Sequence, residues 1–328
     1  MAIPLVIGIA AGAIGLYKAG KAISDNSDAS ELNKSASYIA DNAEMELNKS
    51  RTACEDTLEC LGQKKADILR GNVNEFLTTF KKIKNIDFQH NGLDNISARE
   101  FSEIVLAEMH KSVSFVLSSG LGLGSGSVAG ALTAFGAYNG TIMLAAAGTG
   151  TAISSLSGVA ATNATLAWLG GGTLASGGMG VAGGTMALGA LAAGPALLVA
   201  GWYMGAKAET NLNEAYSNKA KAEQFSADCD AARALTDGIC EIADMAITIL
   251  FELSKSLSCN IQTLKEIIEL QGTDFTTYDE NAKDTVLRSV KIIQLIKVAI
   301  DTPILDQEGN LLGDASSNLN DLHCQILN

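Results

Sequence analysis

The chain has 328 residues, enough for a sizeable core and for one large or two ordinary domains. Its 47% apolar content excludes a disordered chain, and only 3 prolines among many helix-forming residues favour long helices. A net charge of −13 argues against nucleic acid as a partner and against a basic amphipathic helix on anionic lipid, so any contact with a bilayer must be hydrophobic.

Residues 1–22 form an apolar N-terminal element. The run from Met1 to Tyr17 lacks a basic stretch ahead of its apolar core, which argues against a secretory signal peptide. It sits at the short limit for a membrane span, and Gly8 with Gly12 would let a partner helix approach. It is read either as lipid-inserted or as a core helix.

Residues 23–111 carry amphipathic helices. Asp28 or Ser30 is a candidate cap. Leu32, Ala36, Ile39, Ala43, Leu47, Cys54, Leu58 and Leu61 then recur at helical spacing, with charge on the other positions. A second set, Ile68, Val73, Phe76, Phe80 and Ile83, continues or follows it. Gly62, Gly71 and Asn85 are the expected breaks. Residues 85–98 read as a loop around Asn91-Gly92, and Ser97 with Glu100 has capping-box spacing for a helix starting near 98.

Between Lys111 and Lys207 the composition changes. Residues 112–206 contain no Asp, Glu, Lys, Arg or His, and they hold 22 of the 33 glycines. An ordinary helix in water keeps a charged outer face, and this segment has none to keep. Its length allows about three or four crossings of roughly 20 residues. The most span-like windows are 128–147 and 185–204. Small residues recur at spacing four: Ser114, Ser118, Gly122, Gly126, Gly130 and Ala134, then Gly136 with Gly140, Gly180 with Gly184, and Gly201 with Gly205. On a helix such positions make a face with little side chain, where backbones approach closely. In water each helical glycine costs about 1 kcal/mol against alanine, so tight packing in lipid or in a protein core has to offset it. Asn139 and Asn163 are read as interhelical hydrogen-bonding groups, with the lining of a water-filled pore as the alternative, and Leu197 as a position in the last window where a charge would oppose membrane insertion.

Residues 207–302 return to charged helices. Leu235, Ile239, Ile242, Ala246, Ile249, Leu253, Leu257, Ile261, Leu264 and Ile268 predict one long packed helix ended by Gly272. A second helix over about 279–300 carries Val286, Val290, Ile293, Ile296 and Ile300. Short loops between long helices predict antiparallel neighbours. Residues 303–328 form a tail with a turn at Glu308-Gly309-Asn310. The expected fold is therefore all-α: long amphipathic helices around a glycine-rich apolar hairpin or cluster.

Signals of catalysis are absent. The GxGxxG at Gly178, Gly180 and Gly183 follows no strand and is followed by no acid before Glu209, so it fails as a dinucleotide fingerprint. No Walker A, HExxH or GxSxG motif occurs. The turn from Asp306 to Asn310 lacks the remaining ligands of a calcium loop. Cys54, Cys60, Cys229, Cys240, Cys259 and Cys324 include no CxxC pair and read as buried or half-buried reduced thiols. No catalytic residue, cofactor or metal site is expected.

Residues 148–172, from Gly-Thr-Gly-Thr-Ala to Trp-Leu-Gly-Gly-Gly, resemble the central segment of a family of largely uncharacterised bacterial proteins. Ala-Gly-Pro-Ala-Leu at 193–197, Lys-Ala-Glu at 207–209 and Pro-Ile-Leu-Asp-Gln-Glu-Gly-Asn-Leu near the end are similar too. The resemblance implies a bacterial, cytoplasmic origin and transfers no activity. The architecture also resembles helical pore-forming toxins of the cytolysin A type, which hide an apolar element until they assemble. The uncharged segment here is longer and richer in glycine than theirs.

The expectation is a non-enzymatic bacterial protein of the cytoplasm, with conditional or permanent inner-membrane association. Its segment 112–206 would enter or permeabilise a bilayer, as a homo-oligomeric toxin or anti-phage effector. The alternative is a soluble helical scaffold with a tightly packed glycine-rich core, binding a protein partner through its acidic flanks.

Overall fold

The computed structural model describes residues 26–86, 96–119, 129–137, 212–305 and 311–327. Among them the fold is all-α, with helices packed on one another and no strand beyond two isolated bridges. The helices are α1 (Asn26–Ile68), α2 (Asn74–Phe80), α3 (Ile96–Ser119), α4 (Ala129–Ala137), α5 (Leu212–Gln271), α6 (Glu280–Asp301) and α7 (Gly313–Leu327). The chain divides into two compact units, Met1–Glu55 with Leu188–Cys240, and Asp56–Ala187 with Glu241–Asn328. The N-terminal element 1–22, the loop tip at Asn91-Gly92 and most of 112–206 lie outside the described residues.

In the first unit, α1 and α5 meet through small residues. Ala36, Ala40 and Ala222 are buried together, with Ile39 and Phe225 packed against them. Alanine at the contact lets two helices approach at the short end of the usual 8–10 Å range. Asn33 accepts a hydrogen bond from Asn218 at 3.1 Å, and the Ser50 hydroxyl donates to Asp237 at 2.6 Å. Partners rise in number together on both helices, so the pair runs parallel.

The second unit repeats this sense. Asn72 donates to Ser258 at 2.5 Å and accepts from Ser254 at 3.1 Å, while Lys265 meets Glu75 at 2.6 Å. The helices end together. Lys84 N donates to the Thr273 carbonyl at 2.7 Å and Phe275 N to the Lys84 carbonyl at 3.0 Å, and Asn85 donates to Asp274 at 3.1 Å. The antiparallel expectation concerns helices joined by short loops, and residues 81–211 stand between α2 and α5, so it does not bear on this pair.

Of the three expected breaks, only Asn85 acts as one, in the left-handed region at φ 57°. The helix runs straight through Gly62. At Gly71 it widens into a π-helical turn, Leu69–Val73, and continues as α2. Asp28 and Ser30 lie inside α1, which begins at Asn26, so neither caps it. Gly272 ends α5 as expected, at φ +84°, where L side chains are disfavoured. Leu235, expected on the packed stripe, is 48% exposed; the buried line passes through Thr236, Ile239, Ala243, Ala246, Leu250, Leu253, Leu257 and Leu264. It extends back through Cys229, Ala222 and Ala215 at steps of seven, a coiled-coil period.

Asp279 caps α6 by accepting from Ala282 N at 2.8 Å, and Thr302 closes it just before Pro303. Helix α6 buries Val286, Val290, Ile293, Ile296 and Ile300, the stripe expected of it. Helix α3 packs on α2, on the π turn and on α6. The tail contains a full helix, α7, which packs on α6 and buries Ala315, Leu319 and Leu322. Their spacing of four and three is amphipathic.

Candidate functional site: the docking of the uncharged segment on α1

Two parts of the uncharged segment are described: the end of α3 and the nine residues of α4. Helix α4 crosses α1 in the second unit with two glycines at the contact. A Cβ built on Gly62 would land on the Leu132 carbonyl, and one on Gly136 would land on the Leu58 carbonyl. Each position is also 3.1 Å from the other glycine's backbone nitrogen. The contact is reciprocal, each glycine seated against a residue four positions before the other. Backbones meet where any side chain would hold them apart, so dispersion replaces side-chain packing. Leu132 and Phe135 of α4 are buried beside the crossing.

A short helix leaves its last carbonyls without intrahelical donors. Here they are supplied from outside. The Lys65 ammonium donates to the Phe135 and Gly136 carbonyls, both at 3.1 Å, and lies 5.6 Å from the Phe135 ring centroid. Ile304 N and Leu305 N donate to the Ala137 carbonyl at 2.9 and 3.1 Å. A cation at a helix C-terminus is also favoured by the helix dipole.

Lys65 is fully buried, on the apolar stripe between Leu61 and Ile68. Burial pushes its pKa down to about 7, against the pull of the Asp301 carboxylate. Asp301 belongs to a small ionic cluster. Lys297 pairs with Asp301 on its own helix and with Glu108 of α3 at 2.9 Å. Burial works against the Lys297 charge, but hydrogen bonds to Asp301 and Glu108 prevail and raise its pKa.

The expected small-residue positions fall out as follows. Gly136 is at the crossing. Gly130 and Ala134 lie on α4. Ser114 is on α3 and exposed, while its neighbours Val113, Phe115 and Val116 are buried, so the packed face of α3 is not the small-residue face there. Ser118 is on α3 as well. Gly122, Gly126, Gly140, Gly180, Gly184, Leu197, Gly201 and Gly205 lie outside the described residues, as do Asn139, Asn163 and the Asp306–Asn310 turn.

Sequence reasoning took Gly62 for a break rather than a contact and missed Lys65, and both left a signal. Gly62 is the single glycine within α1, at a cost that a helix interior does not accept without a packing reason. Lys65 occupies an apolar-stripe position where a charge needs a buried partner. Among the described residues no group of acidic, His or Cys side chains is arranged to hold a metal, and no helix is long and apolar enough to cross a membrane. Comparison with protein-family models, with characterised proteins and with solved structures finds no match for this chain.

Proposed function

We propose that this is a bacterial membrane-acting protein without catalytic activity, whose segment 112–206 enters a bilayer and permeabilises it as a homo-oligomer. The observation that carries this reading is the run from Ser112 to Ala206 without one Asp, Glu, Lys, Arg or His. Such a run has no charged face to offer water, whereas lipid asks for none. Spaced small residues then supply association between helices where hydrophobic burial no longer drives it. The docking of α4 on α1 is the held form in this reading: a piece of the segment sits against a single glycine and under one lysine. Localisation is cytoplasmic until the inner membrane is engaged. The resemblance to cytolysin A-type toxins points the same way.

Liposome flotation of the purified, detergent-free protein tests it, at neutral pH and after mild acidification. Co-flotation that survives a high-salt wash, followed by dye release, is the expected result. Compact protein left at the bottom in both conditions sinks the reading.

A second reading has its own observation. Four hydrogen bonds tie the last carbonyls of α4 into the bundle, through Lys65, Ile304 and Leu305. A soluble scaffold that uses its glycines only for close packing, and its acidic flanks to bind a protein, needs no more than that.

A further inference from the structure

We propose that Cys54 and Cys240 form a redox-responsive pair, which a low-molecular-weight disulfide converts into a covalent link between α1 and α5. This reading is independent of any action on membranes.

None of the six cysteines is in a disulfide. Cys60, Cys259 and Cys324 are exposed, and Cys229 is buried facing Arg51. Cys54 and Cys240 differ from these: they come from the two long helices of the first unit and their thiols are hydrogen-bonded to each other. The Ser50 to Asp237 hydrogen bond, one turn earlier on both helices, fixes the register that brings them together. Thiols within hydrogen-bonding reach of each other start from a geometry that side-chain rotation can carry towards a sulfur–sulfur bond.

The two thiols have unequal access. Cys54 is buried, and Cys240 is half-buried and nearer to solvent. Burial, then the neighbouring Cys240, Asp237 and Glu55, push the Cys54 thiol well above its ordinary range, so it is a poor first nucleophile. Cys240 therefore reacts first. Its thiolate attacks the small disulfide RSSR, forming Cys240–S–SR and releasing RS⁻, which takes up the proton. Cys54 then attacks the Cys240 sulfur, gives up its proton and expels the second RS⁻. Two protein thiols and one RSSR become one protein disulfide and two RSH, and a dithiol reductant reverses both steps.

The test uses the full chain carrying Cys60→Ser, Cys259→Ser and Cys324→Ser, which keeps Cys54, Cys229 and Cys240. It is incubated folded with oxidised glutathione, alkylated, and mapped without reduction. The expected result is a Cys54–Cys240 peptide, a fall from three titratable thiols to one, and a raised thermal midpoint that dithiothreitol reverses. Adding Cys54→Ser should stall the reaction as a glutathione adduct on Cys240; Cys54→Ala takes its place if serine is not tolerated in the buried site. A link through Cys229, a chain that keeps all three thiols, or a Cys54–Cys240 link formed only in denaturant would overturn the proposal.

Discussion

At the residue scale, Lys65 is the side chain with most to lose. Its folded pKa is about 7 and its ordinary value is 10.5. Between those values the unfolded chain holds the proton and the folded chain does not, so stability rises as pH rises through this window and is flat for this group below it. The steepest contribution is about 1.4 kcal/mol per pH unit. Lys65→Met should flatten that slope. Near pH 10, where deprotonation on folding costs little, it should also cost about 1–3 kcal/mol, by leaving the Phe135 and Gly136 carbonyls without their donor. Urea titrations of both proteins from pH 6 to 10 measure the two effects together. An unchanged slope in the variant would show that Lys65 is not the group involved. Gly136 and Gly71 make a matched pair. Gly136→Ala puts a methyl into the Leu58 carbonyl and should destabilise by more than about 2 kcal/mol, because one backbone must move. Gly71→Ala meets nothing within 4 Å and should be neutral or stabilising by up to about 1 kcal/mol. Thermal melts that rank the two the other way would contradict the crossing.

At the scale of the element, periodicity made α1, α5 and α6 legible, because a helix with one wet face must repeat its apolar residues every three to four positions. The length of α5 before Leu235 was harder to see. Its contact residues there are Ala215, Ala222 and Cys229, which composition alone does not separate from the exposed Ala220 and Ala227. The parallel sense of α1 and α5 was not legible at all, since nothing local encodes the direction of a helix 180 residues away. The α4 site was half legible: a spacing rule pointed to Gly136, but its partner lies in another helix. One residue on the α5 stripe stands out. Asn260 follows Leu257 and precedes Leu264, and its amide nitrogen is buried with no acceptor among the described residues. A buried orphan donor costs about 1–3 kcal/mol, so Asn260→Leu, close in volume, should raise stability by an amount of that order. A variant that melts lower would mean that Asn260 has a partner or sets the helix register, as polar residues on such stripes can.

For the whole molecule, charge and hydropathy are partitioned along the sequence: the −13 belongs entirely to the flanks. A charge at Leu197 tests whether that partition serves a bilayer. Leu197→Asp should abolish salt-resistant flotation while the far-ultraviolet circular dichroism and the thermal midpoint stay near the parent's. A folded Leu197→Asp protein that floats normally would remove residues 185–204 from the proposed spans.

The parallel pairing of α1 with α5 also has a consequence in time. Helical proteins fold fast because most of their contacts are local. Here the side chains that join the two long helices are 185 to 187 residues apart in sequence, a separation more usual for the slow pairing of distant strands. Refolding followed by stopped-flow circular dichroism should therefore show helix forming well before the thiol and amide contacts between α1 and α5 are protected. On a ribosome adding 5–20 residues per second, α1 waits roughly 10–40 s for its partner to be made. Throughout that interval the part of its apolar stripe that α5 covers is exposed, which gives a chaperone reason to hold α1.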